Sequence, residues 1–123
     1  MPFLAEVGNE PVAALAAVAT RHVYGHGQTI FLEGDPVAGI YLIEEGVVKI
    51  CRFALDGREH ILTLLNAGET FNDVAALDGG PNPACAMAFT DVVVWRVDRI
   101  DLKNIVTRYP RLAWALIDRK SVV

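Results

Sequence analysis

The side chains that could do chemistry in this sequence are three histidines (His22, His26 and His60), two cysteines (Cys51 and Cys85) and the adjacent carboxylates Glu44 and Glu45. Three imidazoles can hold a zinc ion where they converge. Here each histidine is isolated, and His22 and His26 stand on either side of a turn at Gly25, so surface or core imidazoles are the expectation and no metal site is. Two cysteines are too few for a disulfide framework or a four-cysteine cluster, and neither belongs to a C-x-x-C pair; both are read as buried thiols. Glu44-Glu45 precedes the turn residue Gly46 and is expected to sit in water. Hydrolytic chemistry lacks its nucleophile, because no serine occurs before Ser121 and no Gly-x-Ser-x-Gly is present. The chain is therefore not expected to be an enzyme.

A different set of polar residues lies in Phe71 to Phe89, a stretch without any Lys, Arg or His. Asn72 and Asp73 stand where they could cap a short helix, Val74 to Leu77. Asn82, between Pro81 and Pro83, reads as a turn residue. Amides and a carboxylate at such places can also hold a ligand.

The elements that must position these residues are short. Asn9-Glu10-Pro11 supplies an N-cap residue and a first-turn acid, and Val12, Leu15, Ala16 and Val18 make an apolar stripe, which predicts a helix ending near Thr20. From Arg21 to Val97 the chain breaks into β-rich runs separated by Gly, Asp and Pro. Ile40 to Ile43, Val47 to Phe53, His60 to Leu65 and Val92 to Val97 read as strands, with Asp56-Gly57 as a hairpin turn. Many short strands without room for intervening helices argue for a barrel or sandwich rather than a βαβ sheet. Helical periodicity returns after Asp98, which is placed to cap a helix to about Tyr109, with Asp101 at the capping-box position and Leu102, Ile105 and Val106 as its apolar side. Pro110 opens a second helix, where its missing N–H costs nothing, and Leu112, Ala113, Leu116 and Ile117 form a stripe beside Trp114.

The chain has 123 residues, 53% apolar and 21% charged, which describes one compact domain able to bury a core without a metal or disulfide. The longest apolar run, Val12 to Ala19, falls far short of the ~20 residues of a membrane span, and no basic residue precedes Arg21, so neither a membrane segment nor a signal peptide is read and a cytoplasmic protein is expected. Residues 1–95 carry 4 basic and 12 acidic side chains, net −8; residues 96–123 carry 7 basic and 3 acidic, net +4, which together give the overall −4. An acidic body of this kind is a poor phosphate binder, so DNA binding by this chain alone is not expected.

One helix, a roll of glycine-punctuated strands and two further helices is an order that resembles a known family. Ile30-Phe31-Leu32-Glu33-Gly34-Asp35-Pro36, followed by Gly39 to Ile50, resembles the first signature of cyclic-nucleotide-binding domains. Ala67-Gly68-Glu69-Thr70-Phe71-Asn72-Asp73-Val74-Ala75-Ala76-Leu77, running on to Pro81 to Ala86, falls where that family has its phosphate-binding cassette. The resemblance covers nearly the whole chain. The two terminal helices look most like the branch found in Crp/Fnr-type bacterial transcription regulators. It implies a fold that is mainly β with flanking helices, a double-stranded β-helix or jelly-roll-like β-roll. It also implies a single effector domain over residues 1–123, with residues 110–123 the start of a dimerisation helix contacting its partner through Leu112, Ala113, Leu116 and Ile117. Nothing resembling the family's helix-turn-helix is seen, so DNA would be reached only through a separate domain.

In the cassette of that family a Gly-Glu pair opens a short helix whose amides meet the phosphate, the glutamate accepts from the ribose, and an arginine neutralises the phosphate charge. Matched without a gap, Asn72 stands in the glycine position, Asp73 in the glutamate position and Asn82 in the arginine position; a spacing one residue longer puts Pro83 there instead. Neither Asn82 nor Pro83 is positive. A charge-assisted contact to phosphate is worth roughly 1.5–3 kcal/mol, one to two decades of affinity. Weak or absent binding of cAMP and cGMP is therefore expected, with another small-molecule effector held by the cassette residues Phe71, Asn72, Asp73, Val74, Ala75, Asn82, Pro83, Ala84 and Cys85. Rival readings are fewer in their support. Cupin-like metalloproteins are similar in strand number, but carry a His-x-His pair that is missing here. Haem would need an axial ligand from His22, His26, Cys51 or Cys85, none in a distinguishing context. A cyclic-nucleotide-type module regulating another signalling protein, such as a kinase or channel, is the alternative to a transcription regulator.

Overall fold

A computed structural model describes residues 8–118, with side chains followed to residue 116. The elements in order are α1 (Asn9–Val18), β1 (Thr20–Tyr24), β2 (Thr29–Phe31), β3 (Gly39–Glu45), β4 (Val48–Phe53), β5 (Glu59–Leu65), β6 (Thr70–Phe71), α2 (Asp73–Asp78), β7 (Cys85–Ala88), β8 (Val92–Asp98), α3 (Arg99–Arg108) and α4 (Pro110–Asp118). Two four-stranded antiparallel sheets, in the orders β1-β8-β3-β6 and β2-β7-β4-β5, face each other as a β-roll. The fold is thus mainly β with flanking helices, as the sequence implies. No helix among the described residues is long and apolar enough to cross a membrane.

Strand alternation divides the core in two. Tyr41 and Ile43, Val48 and Ile50, Ala86 and Ala88, and Val92 and Val94 face the inside of the roll and are buried with Leu65, Phe71 and Ala84. The intervening residues Ile40 and Val97 face outward and are covered by helices, in a second cluster with Ala76, Leu102, Ile105, Leu112 and Leu116. Each such side chain contributes about 1.5–3 kcal/mol by leaving water. Tight turns hold the strands in register. The β4–β5 hairpin turns at Asp56-Gly57, closed by a 2.8 Å bond from Ala54 N–H to the Arg58 carbonyl. Between β3 and β4, Gly46 takes φ 88°, and any Cβ there would run into the carbonyl of Asp91.

Several expectations are revised. The N-cap of α1 is Gly8 rather than Asn9, and the helix stops at Val18, because Ala19 turns extended and the β-branched Thr20 starts β1 opposite Arg96. Asp98 is the N-cap of α3, but its carboxylate makes no cap bond: Oδ1 accepts from Arg96 Nε at 2.8 Å. The stripe assigned to a partner helix is largely core of this chain. Leu112 is 0% and Leu116 1% exposed, because α4 folds back over Ile40, Val97, Leu102 and Ile105. Ala113 is half-buried, the side chain of Ile117 lies outside the described residues, as do residues 119–123, and the exposed side of α4 carries Trp114.

Candidate functional site

The candidate site starts from one row of facing residues. Thr20, Arg96, Tyr41 and Phe71 are successive cross-strand partners over all four strands of the first sheet. At the end of that row the ring of Phe71 is fully buried and stacks on Tyr41, with centroids 4.9 Å apart and planes 8° from parallel. Phe31 closes the group at 5.5 Å from Tyr41 and 6.0 Å from Phe71. Phe71 therefore sits in rigid packing, and the chain leaving it is fixed in direction.

That chain turns sharply at Asn72. With φ 69° and ψ 22°, Asn72 is the one non-glycine residue with positive φ among the described residues, and it is the N-cap of α2. Asparagine tolerates this left-handed conformation better than most residues. The resemblance matches Asn72 to a glycine, the residue that takes such a φ most readily. The side chain makes no cap bond to α2. It is buried, and Nδ2 donates to Oδ1 of Asn82 at 3.0 Å, while Nδ2 of Asn82 donates to the carbonyl of Leu32 at 3.0 Å. Oδ1 of Asn72 is buried with no hydrogen-bond partner among the described residues.

Asn82 is more than a turn residue. It is 3% exposed, its N–H donates to the Asp35 carbonyl, and its carbonyl accepts from the N–H of Gly34, both at 2.9 Å. The segment after α2 is thereby zipped to the β2–β3 loop, where Pro36 also bridges Pro81. Asp73 is fully buried and its Oδ2 accepts from Thr70 Oγ1 at 2.9 Å. Among the remaining expected residues, Ala75 and Ala84 are buried, Val74 is exposed, and Sγ of Cys85 accepts from the N–H of Glu33 at 3.3 Å. Asn72, Asp73 and Asn82 are thus brought together in the interior, whereas Val74 faces water.

Phe71 to Phe89 contains no cation of its own, but one reaches this region from another strand. Arg52, from β4, donates from Nε and Nη2 to the carbonyl of Pro83 at 3.1 and 3.0 Å. Its guanidinium is half-exposed, and the Glu33 carboxylate lies 3.8 Å away. Two of its five N–H groups are held by one carbonyl, an acid offsets the charge and the group is half in water, so Arg52 holds the loop without offering a buried anion site. Strand alternation with Val48 and Ile50 could have placed Arg52 on the roll-facing side, but the contact joins residues 31 apart in sequence. At the other end of α2, the guanidinium of Arg99 packs over Gly79, the left-handed C-cap, where the free carbonyls of the helix favour a cation.

Near Tyr41 the charges are paired. Arg96 and Asp98 form a 2.8 Å ion pair, and burial, partly offset by Arg96, pushes the Tyr41 phenol above its ordinary value. Burial and then Arg96 hold His22 low, opposed by Asp98. Cys51 and Cys85 are free, buried, and directly opposite each other on β4 and β7, with burial raising the Cys51 thiol. Among the described residues no three His, Cys, Asp or Glu side chains are placed to share a metal ion.

This geometry has relatives. The protein-family model for "Cyclic nucleotide-binding domain" matches residues 21–109. A CRP-like cAMP-activated global transcriptional regulator of Mycobacterium tuberculosis is 34% identical over 112 residues, 89% of this chain and 50% of the regulator. Among solved structures, the catabolite activator protein of Thermus thermophilus superposes with a TM-score of 0.85 at 31% identity, covering 96% of this chain and 55% of that one. The N-terminal domain of a transcriptional regulator from Streptomyces coelicolor superposes with a TM-score of 0.80 at 32% identity, covering 96% and 82%. The chain spans about half the length of the curated relatives it matches.

Proposed function

We propose, from the premise that this chain belongs to the cyclic nucleotide-binding domain family, that it is the effector-sensing unit of a Crp/Fnr-type transcription regulator that answers to a ligand other than cAMP. In this reading residues 1–123 are one effector domain, DNA is contacted by a separate domain, and the protein works in the cytoplasm as a homodimer. Residues 110–123 begin the helix through which two copies pair. With Leu112 and Leu116 taken up inside the protomer, pairing falls to the side of α4 that carries Trp114.

The observation that carries the sensing role is a shared cluster. Ala76 of α2 is buried against the same group of side chains as Leu102, Ile105, Leu112 and Leu116 of α3 and α4. An effector that shifts α2 therefore changes the packing of both later helices, and a differential affinity for two such arrangements is all a population shift requires. The choice of ligand is supported by Asn72 and Asn82. The arginine position holds a neutral amide, so a phosphate there would meet hydrogen-bond donors but no compensating charge. Hydrogen exchange of the Asn82→Ala variant tests the coupling. Loosening should reach Leu102 to Leu116 as well as α2; a change confined to α2 and its flanking loops would contradict the mechanism.

A further inference from the structure

A cavity of about 300 Å³ lies on the outer, helix-covered face of the first sheet. Its floor is the outward face of β3 and β8, with Ile40, Leu42, Trp95 and Val97. One wall is α1, through Leu15 and Ala16, and the other is formed by Leu102 of α3 and Leu116 of α4. Among the described residues no charged side chain lines it. Thr70 also borders it, but its hydroxyl donates to Asp73. The Trp95 indole N–H is likewise engaged, by Glu44 at 3.0 Å.

We propose that this cavity is a second effector site, taking a neutral, hydrocarbon-rich small molecule. Three features select that occupant. At about 30 Å³ per heavy atom the volume suits a molecule of about ten such atoms, and it falls at the small end of ligand pockets. A helix from another protein, about 10 Å across, is too wide for it. An extended peptide would bring N–H and C=O groups to walls with nothing to pair them, at a cost of about 1–3 kcal/mol for each group. An apolar molecule pays no such cost. Because Leu102 and Leu116 are walls, occupancy props α3 and α4 against α1, so this site acts on the same helices as the cassette without using Asn72, Asp73 or Asn82.

The test is a titration of the Trp114→Phe protein with 1-octanol, followed by Trp95 emission and by thermal melting. A saturable blue shift with a rise in Tm is expected. Ala16→Phe, which fills the cavity from α1, should weaken the response about tenfold or more. Should that variant melt without cooperativity, Ala16→Leu serves in its place. Arg52→Ala, which releases the Pro83 carbonyl of the cassette loop and has no bond to α2, α3 or α4, should leave the response unchanged, which separates this site from the cassette. No saturable response, an equal response in both the parent and the filled variants, or Trp95 already shielded in the dimer by the second copy would each overturn the proposal.

Discussion

The side-chain amide of Asn72 donates to Oδ1 of Asn82 across 3.0 Å, and both residues are buried. In the alignment we propose with the cyclic nucleotide-binding family, Asn72 stands at the glycine position and Asn82, at the shorter of two spacings, at the arginine position. Together they form an internal amide bridge, ending on the carbonyl of Leu32, that on this proposal stands where the family binds an anion.

The bridge should be worth measurable stability. Asn82→Ala leaves Nδ2 of Asn72 and the Leu32 carbonyl without partners, which should cost about 1–3 kcal/mol. Urea denaturation checks this, and a loss below the error of the method would show that water replaces the amide at no cost.

Asn72 itself makes a sharper pair of variants. Asn72→Ala and Asn72→Gly both lose the hydrogen bond, but only alanine must be forced to φ 69°. Left-handed backbone costs a residue with a Cβ about 1–2 kcal/mol, partly offset by the extra freedom of glycine in the unfolded chain. Asn72→Gly should therefore be the more stable variant, and the reverse order would mean that the turn does not persist in solution.

Leu112 and Trp114 should behave oppositely although they are neighbours on α4. Leu112→Ala empties a fully buried position and should cost about 2–5 kcal/mol. Trp114→Ala should change protomer stability by less than about 0.5 kcal/mol while weakening self-association in sedimentation.

These contrasts mark how far the sequence could be read. Long runs with β-branched residues, such as Val48–Phe53 and Val92–Asp98, declare themselves by alternation and lie within a residue of where they are expected. β6 is two residues long, and β7 reads Cys-Ala-Met-Ala, so neither carries a periodic signal. Thr20–Tyr24 was obscured because the helical pattern before it runs into Thr20 without a glycine. At the site, the family resemblance singled out Asn72, Asp73 and Asn82 together, and the fold gathers them in the interior. The resemblance could not show that Asn72 and Asn82 bond to each other, nor that Arg52 reaches Pro83, because those contacts depend on how two sheets close. The apolar stripe of α4 was legible as a stripe, but one sequence does not say whether such a face meets its own chain or another.

Stability should also depend on pH through His22. Its folded-state pKa lies below the ordinary value, chiefly by burial, so the unfolded chain takes up a proton first as pH falls. The stability contributed by the neutral imidazole is present above the unfolded value of about 6.5 and is lost as pH drops toward the folded one. The urea midpoint should fall between about pH 7.5 and 5, and His22→Gln should flatten that decline. An unchanged slope would assign it to other groups.

Calorimetric titration of the chain with cAMP tests the central claim most directly. The neutral Asn72–Asn82 bridge predicts no saturable binding at concentrations up to about 1 mM, and a gain of about tenfold or more on restoring a cation with Asn82→Arg. Micromolar binding by the unaltered chain would contradict the account, since the phosphate would then be neutralised without the residue on which it depends.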